Sequence, residues 1–185
     1  MPEVRNIRKS SAHDIVMTAM MTALIAVCSW ISIPAAVPFT LQTFAVFSSV
    51  SLIGGRRSFF SIVSYLLIGA VGVPVFAGFT GGISRILGLT GGYMTGFIFI
   101  SLIYWAAEKL PLKNAAVRIT AILIGLVSMY IFGTAWFIVI YTGKSGDVTL
   151  YQALKWCVLP FIVPDLIKLL LALAITKRLR KHISL

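Results

Sequence analysis

Acidic residues are scarce in this chain: five Asp and Glu in 185 residues, against sixteen Lys and Arg. Charged residues make up 11% of the whole and hydrophobic ones 59%. Soluble domains are about a quarter charged and about half apolar, so a globular core under a solvated shell is excluded, and disorder with it. Histidine and cysteine are also rare, two of each. Cys28 and Cys157 fall in apolar stretches with neither metal-ligand spacing nor a disulfide framework, and read as buried, inert thiols. His13 and His182 lie near opposite ends beside basic residues and read as solvated, so no metal site is expected. Without an intramembrane His, a nucleophile–base pair or clustered acids, a membrane-embedded enzyme is disfavoured and no catalytic residue is assigned. A nucleotide-hydrolysis signature is missing too. Gly91 and Gly96 have Walker A spacing, but Phe97 and Ile98 follow where Lys and Ser/Thr are required.

What the chain does have is long uncharged sequence. Ile15–Gly55 holds 41 residues without a charge, enough for two spans of about 20 residues each, and Pro34 and Pro38 divide it. Further charge-free runs are 58–84, 86–107 and 119–143. The pattern predicts an all-α membrane protein, one integral domain over residues 1–185. Its compact bundle has six transmembrane helices, at about 15–33, 39–54, 59–76, 92–107, 119–141 and 153–176. Helices 2 and 4 are short for a bilayer. The longest non-helical stretch, about 77–91, is rich in glycine, with Thr-Gly-Gly at 80–82 and 90–92. Bare backbone of that kind belongs in water or inside protein, not in lipid. The basic start and apolar run of helix 1 look superficially like a signal peptide, but about 19 apolar residues exceed a signal core, so the helix is read as retained.

Charge placement sets the orientation. With the N-terminus inside, the inner segments hold Arg5, Arg8, Lys9, Arg56, Arg57, Lys109, Lys113, Arg118, Lys177, Arg178, Arg180 and Lys181, while the outer loops hold only Arg85 and Lys144. This positive-inside bias predicts cytoplasmic N- and C-termini. It also explains the net charge of +11: the basic residues flank helices, where anionic lipid headgroups and not nucleic acid are their partners.

Helix 6 alone carries charge inside a span. A charge at mid-membrane costs about 2.5–3.5 kcal/mol on insertion scales, so Asp165 and Lys168 need a reason. At i, i+3 they share a face and neutralise each other. Either the pair only fixes helix packing, or it forms a polar substrate site facing the bundle interior. Pro160 and Pro164 bend the helix just before it. The glycines of 77–91 admit either a ligand or tight helix packing. Ala19 and Ala23 form a small-xxx-small pair on helix 1, suited to packing within the bundle or to docking another membrane subunit. Thr40, Gln42 and Thr43 start helix 2 at the outer face. Gln42 both donates and accepts hydrogen bonds, while Thr40 serves as a helix cap. Trp30, Trp105, Trp136 and Trp156 read as interfacial anchors.

Several segments occur together in the order of a known family: Pro38-Phe-Thr-Leu-Gln42-Thr43, Gly69-Ala-Val-Gly-Val-Pro-Val-Phe76, Thr80-Gly-Gly82, Gly91-Gly-Tyr-Met-Thr-Gly-Phe97, and Pro160 through Asp165-Leu-Ile-Lys168. Over about residues 12–180 the chain resembles BioY, the biotin-specific substrate-binding (S) component of energy-coupling factor (ECF) vitamin transporters. The resemblance implies a six-helix S-component fold in the prokaryotic plasma membrane and biotin captured from the outer side. It also implies a T component and two ATPase subunits as partners, and no cofactor. It implies that Ala19 and Ala23 contact the T component, and that Thr80, Tyr93, Asp165 and Lys168 contribute to the biotin pocket. Leu89 and Phe79 depart from the Pro and Gly usual at their positions. Met94 stands where some members place an Arg; if that Arg holds the carboxylate in those members, another cation must do so here, with Lys168 the nearest to Asp165 and Arg85 the second choice, and either end of biotin can face the pair. A stand-alone biotin carrier and an S component for another vitamin are the alternatives.

Overall fold

Uncharged runs become helices wherever backbone groups can pair only within their own segment. In the computed structural model, which describes residues 3–33, 38–111 and 114–180, the order is α1 (Glu3–Trp30), β1 (Ser32–Ile33), β2 (Phe39–Thr40), α2 (Gln42–Ile53), α3 (Gly55–Ala70), α4 (Ile83–Ile86), α5 (Gly91–Glu108), α6 (Ala115–Ser145), α7 (Leu150–Cys157) and α8 (Leu159–Leu179). Pro34, Lys113, Lys181 and His182 lie outside the described residues. β1 and β2 form a small antiparallel hairpin, Ser32 opposite Thr40 and Ile33 opposite Phe39.

Among the described residues three stretches are long and apolar enough to cross a membrane: Ala12–Trp30, Ala115–Gly143 and Leu150–Leu179. α2 is different. Its twelve residues rise about 18 Å, well short of a hydrocarbon core of about 30 Å. Every residue of α2 except Phe44 is buried, because α1, α3, α5 and α8 surround it. Its polar residues therefore meet protein and not lipid.

The sequence-based boundaries shift for identifiable reasons. α1 begins at Glu3 and not near 15, since charged residues end a span without ending a helix. It stops at Trp30 and not 33, where the chain turns into the hairpin and Leu41 N–H bonds to Ile31 O. α3 starts at Gly55, taking in Arg56 and Arg57, and ends at Ala70 instead of 76. Gly72 lies at φ +113° and Pro74 follows. α6 runs from 115 to 145, with Asn114 accepting from Val117 N–H as its cap. The expected single helix 6 is two pieces, broken at Val158. Pro160 sits in the first turn of α8, where its missing N–H is no loss, and Pro164 lies within α8. α7 begins with a capping box between Thr149 and Gln152.

The glycine-rich segment is ordered rather than bare. Phe76 and Thr80 bridge each other, Gly82 N–H bonds to Gly69 O at 2.7 Å, and α4 adds one helical turn inside the stretch expected to lack regular structure. Phe79 takes φ +55°, the left-handed region that glycine enters freely. Stacking on Trp30, at 5.0 Å between ring centroids, holds it there.

The α5–α6 seam is the most extensive contact in the molecule and depends on small residues. A Cβ on Gly125 would lie 2.7 Å from Ile100 Cα, and one on Gly96 2.8 Å from Met129 Cγ. Gly125→Val is expected to destabilise the fold by about 1–3 kcal/mol through overpacking. Gly143, where an added Cβ would meet nothing within 4 Å, should accept alanine without loss. Thermal unfolding of the two variants in detergent micelles checks both.

Candidate functional site

α8 is two-faced. Ile162, Val163, Leu166, Ile167, Leu170 and Leu171 are exposed, whereas Asp165, Lys168, Leu169, Ala172 and Thr176 are buried. The charged pair thus faces the bundle interior and not lipid, Asp165 at 2% and Lys168 at 4% exposure. Lys168 Nζ lies 2.9 Å from Asp165 Oδ1. Its other two hydrogens go to Thr40 O at 2.7 Å and Thr43 Oγ1 at 3.0 Å, and the ammonium sits 4.2 Å from the centroid of the Phe39 ring. Thr43 Oγ1 donates to Asp165 Oδ1 at 2.7 Å, and Tyr130 Oη donates to Asp165 Oδ2 at 2.6 Å. Desolvating two ions is costly, and only good geometry with further hydrogen bonds offsets it. Thr40 from β2, Thr43 from the start of α2 and Tyr130 from α6 supply those bonds, so three elements converge on α8.

Beside the pair is a cavity of about 80 Å³. Its polar wall is Thr40, Gln42, Thr43, Thr90, Tyr93, Tyr130, Asp165 and Lys168; its apolar wall is Pro38, Ala77, Met94, Phe97, Met129, Phe161 and Cys157. Gln42 Nε2 donates to Tyr65 Oη at 2.6 Å, and Thr40 Oγ1 donates to Gln42 Oε1 at 3.3 Å. Tyr93 Oη pairs with Thr134 Oγ1 at 2.9 Å.

Asp165, Lys168, Gln42, Tyr93, Thr40 and Thr43, all singled out from sequence, come together here. Thr80 and Arg85 do not line the cavity. The Thr80 hydroxyl bonds Ala77 O at 2.9 Å within its own loop, and Arg85 is exposed on α4. Sequence reasoning misses Tyr130. Its one signal is a phenol in an otherwise uncharged span, since a buried Tyr hydroxyl seeks a partner. The indole N–H groups of Trp30 and Trp136, read from sequence as interfacial anchors, donate to Pro74 O, just before the glycine-rich segment, and to Gly88 O within it, each at 2.9 Å. Both cysteines are buried and free. Among the described residues no cluster of His, Cys, Asp and Glu is suited to a metal.

A second, larger concavity of about 1,770 Å³ runs along the outside of α1 and α3. Ala19 and Ala23 lie exposed in its floor, so neither packs inside the bundle. Thr22 Oγ1 and Ser61 Oγ bond across the α1–α3 crossing to Ser61 O and Thr18 O. Arg57 pairs with Asp14 at 2.6 Å at one end. This groove is open and largely apolar, whereas the small cavity holds the buried charges. A polar small molecule therefore fits the second description and a helix the first.

The chain matches the profile of the BioY family over residues 3–185. A protein of Pyrococcus horikoshii named probable biotin transporter BioY is 38% identical, covering 91% of this chain and 97% of its own. The biotin transporter BioY of Thermotoga maritima is 37% identical, covering 91% and 96%. Among solved structures, the S-component for biotin from an ECF-type ABC transporter superposes with a TM-score of 0.81 at 28% identity, covering 94% of this chain and 93% of its own.

Tyr130→Phe removes one hydrogen bond from a buried carboxylate and is expected to cost about 1–3 kcal/mol of stability. Leu166→Ala, on the exposed face of α8, serves as the comparison. Unfolding midpoints of the ligand-free proteins measure the difference.

Proposed function

This chain belongs to the BioY family, and from that premise we propose that it is the biotin-capturing S component of an ECF transporter. It crosses the prokaryotic plasma membrane six times with both termini cytoplasmic, forms one domain, and binds biotin from the outer side. It hands the vitamin inward with a T component and two ATPase subunits. ATP is hydrolysed by those partners, consistent with a chain that carries no nucleotide signature, and the role of this subunit is binding without catalysis or cofactor.

The observation that carries this reading is the inward-facing Asp165–Lys168 pair, bonded by Thr40, Thr43 and Tyr130 beside a cavity within the bundle. Biotin offers a ureido ring with two N–H donors and one carbonyl acceptor. Asp165 Oδ2 keeps a lone pair beyond the one Tyr130 uses, and Gln42 keeps an N–H beyond the one given to Tyr65. Those groups accept from and donate to the ring. Met94, Phe97, Met129 and Phe161 suit its apolar parts. Ligand sites measure about 300–1,000 Å³, so capture widens the 80 Å³ cavity. The open groove bearing Ala19 and Ala23 suits a helix of the T component, since small residues allow close approach.

Lys168→Met is expected to weaken biotin binding by about tenfold or more, because it strands Asp165 without its partner and disturbs the acceptor that faces the cavity. Calorimetry on the chain in detergent measures it, and an unchanged affinity removes Lys168 from the site. Replacing Ala19 or Ala23 by Leu should abolish co-purification with the T component and leave biotin affinity intact. Recovery of the full complex from either variant would contradict the docking assignment.

A further inference from the structure

We infer that the site selects its ligand through the ureido ring and leaves the carboxylate of the tail unpaired in water, so that neutral biotin esters and amides are ligands of this chain as well. The inference rests on the biotin reading above and concerns the opposite end of the molecule.

Lys168 is the sole cation in the cavity lining among the described residues. An ammonium has three N–H donors, and all three are committed: to Thr40 O at 2.7 Å, Asp165 Oδ1 at 2.9 Å and Thr43 Oγ1 at 3.0 Å. The Phe39 ring lies 4.2 Å from the same nitrogen. A carboxylate reaching Lys168 would have to displace one of these partners and stand beside Asp165, a like charge. Like charges sharing a site disfavour each other's ionised form. Asp165 instead presents an acceptor, which the N–H groups of a ureido ring satisfy and a carboxylate repels.

The opposite wall offers an anion no cation. Met94, Phe97, Met129 and Phe161 are apolar, and Cys157 is a buried thiol. Arg85 is exposed on α4, outside the lining. An unpaired carboxylate against such a wall loses its hydration without compensation, so it stays at the mouth, hydrated. Once there, exchanging its charge for a methyl ester or an amide alters no contact made by the protein.

The test measures binding to the full chain in detergent micelles by calorimetry, with biotin, biotin methyl ester, the primary amide of biotin, and a biotin alkylated on a ureido nitrogen. The ester and amide are expected to bind within about threefold of biotin, while the ureido-alkylated compound loses about a hundredfold or more, as expected when buried polar groups are left without partners. Biotin binding accompanied by a loss of more than about tenfold for both neutral derivatives, a difference of about 1.4 kcal/mol, overturns the inference and means that a cation reaches the tail. Failure of biotin itself to bind overturns the biotin reading, and this inference with it.

Discussion

Two opposite charges held away from water constrain most of what surrounds them. Asp165 and Lys168 are almost fully buried on a helix whose other face is Ile, Val and Leu. Breaking such a pair by removing one member typically costs about 3–5 kcal/mol, because the remaining charge is stranded. The pair therefore requires α8 to keep one rotation, with its apolar face outward. It also requires neighbours that complete its hydrogen bonds: Thr40 O, Thr43 and Tyr130. Those neighbours come from β2, the start of α2 and the middle of α6, so the pair fixes three elements relative to α8.

The position of α2 follows from this. A helix of twelve residues rich in serine and threonine is a poor membrane span, yet it must bring Thr43 to the depth of Asp165. The bundle accommodates it by wrapping α1, α3, α5 and α8 around it. Ser49 pairs with Ser58 at 2.8 Å, and Gln42 with Tyr65 at 2.6 Å, so polar side chains join α2 to α3 at two levels. The close α5–α6 seam, with Gly96 and Gly125 facing backbone and side chain across it, gives α6 the proximity that sets Tyr130 against Asp165.

The sequence makes some of this legible and conceals the rest. Charge is costly in a membrane interior, so Asp165 and Lys168 stand out, and their i, i+3 spacing implies mutual neutralisation, which the 2.9 Å contact bears out. Whether the pair faces lipid or protein depends on the rotation of α8, which long-range packing decides. Tyr130 is hidden because its hydroxyl draws notice only once Asp165 is opposite, 35 residues away in the chain. Charge is a poor guide to where helices end. Glu3–Asp14 and Arg56–Arg57 lie within helices, since loss of hydrophobicity marks the edge of a bilayer and not the end of a hydrogen-bonded ladder. Thr80 and Arg85 are close to the glycines in sequence but not part of the cavity wall. The loop closes on itself through the Phe76–Thr80 bridge and the Thr80–Ala77 bond, and α4 carries Arg85 outward.

The two concavities lie on different faces, and α2 is the element that connects them. At its start, Gln42 and Thr43 line the cavity with the charged pair. At its end, Leu52 and Ile53 pack in a cluster with Met17 and Met21 of α1, the helix that carries Ala19 and Ala23 in the groove. The first turn of α2 packs on the charged pair through Thr43. That helix is buried along nearly its whole length, and close-packed interiors yield by discrete repacking and not by gradual deformation. Its two ends therefore pack against different groups, the charged pair at its start and the methionine cluster at its end. The interior cavity and the outer groove thus share one buried helix, through Gln42 and Thr43 at one end and Ile53 at the other.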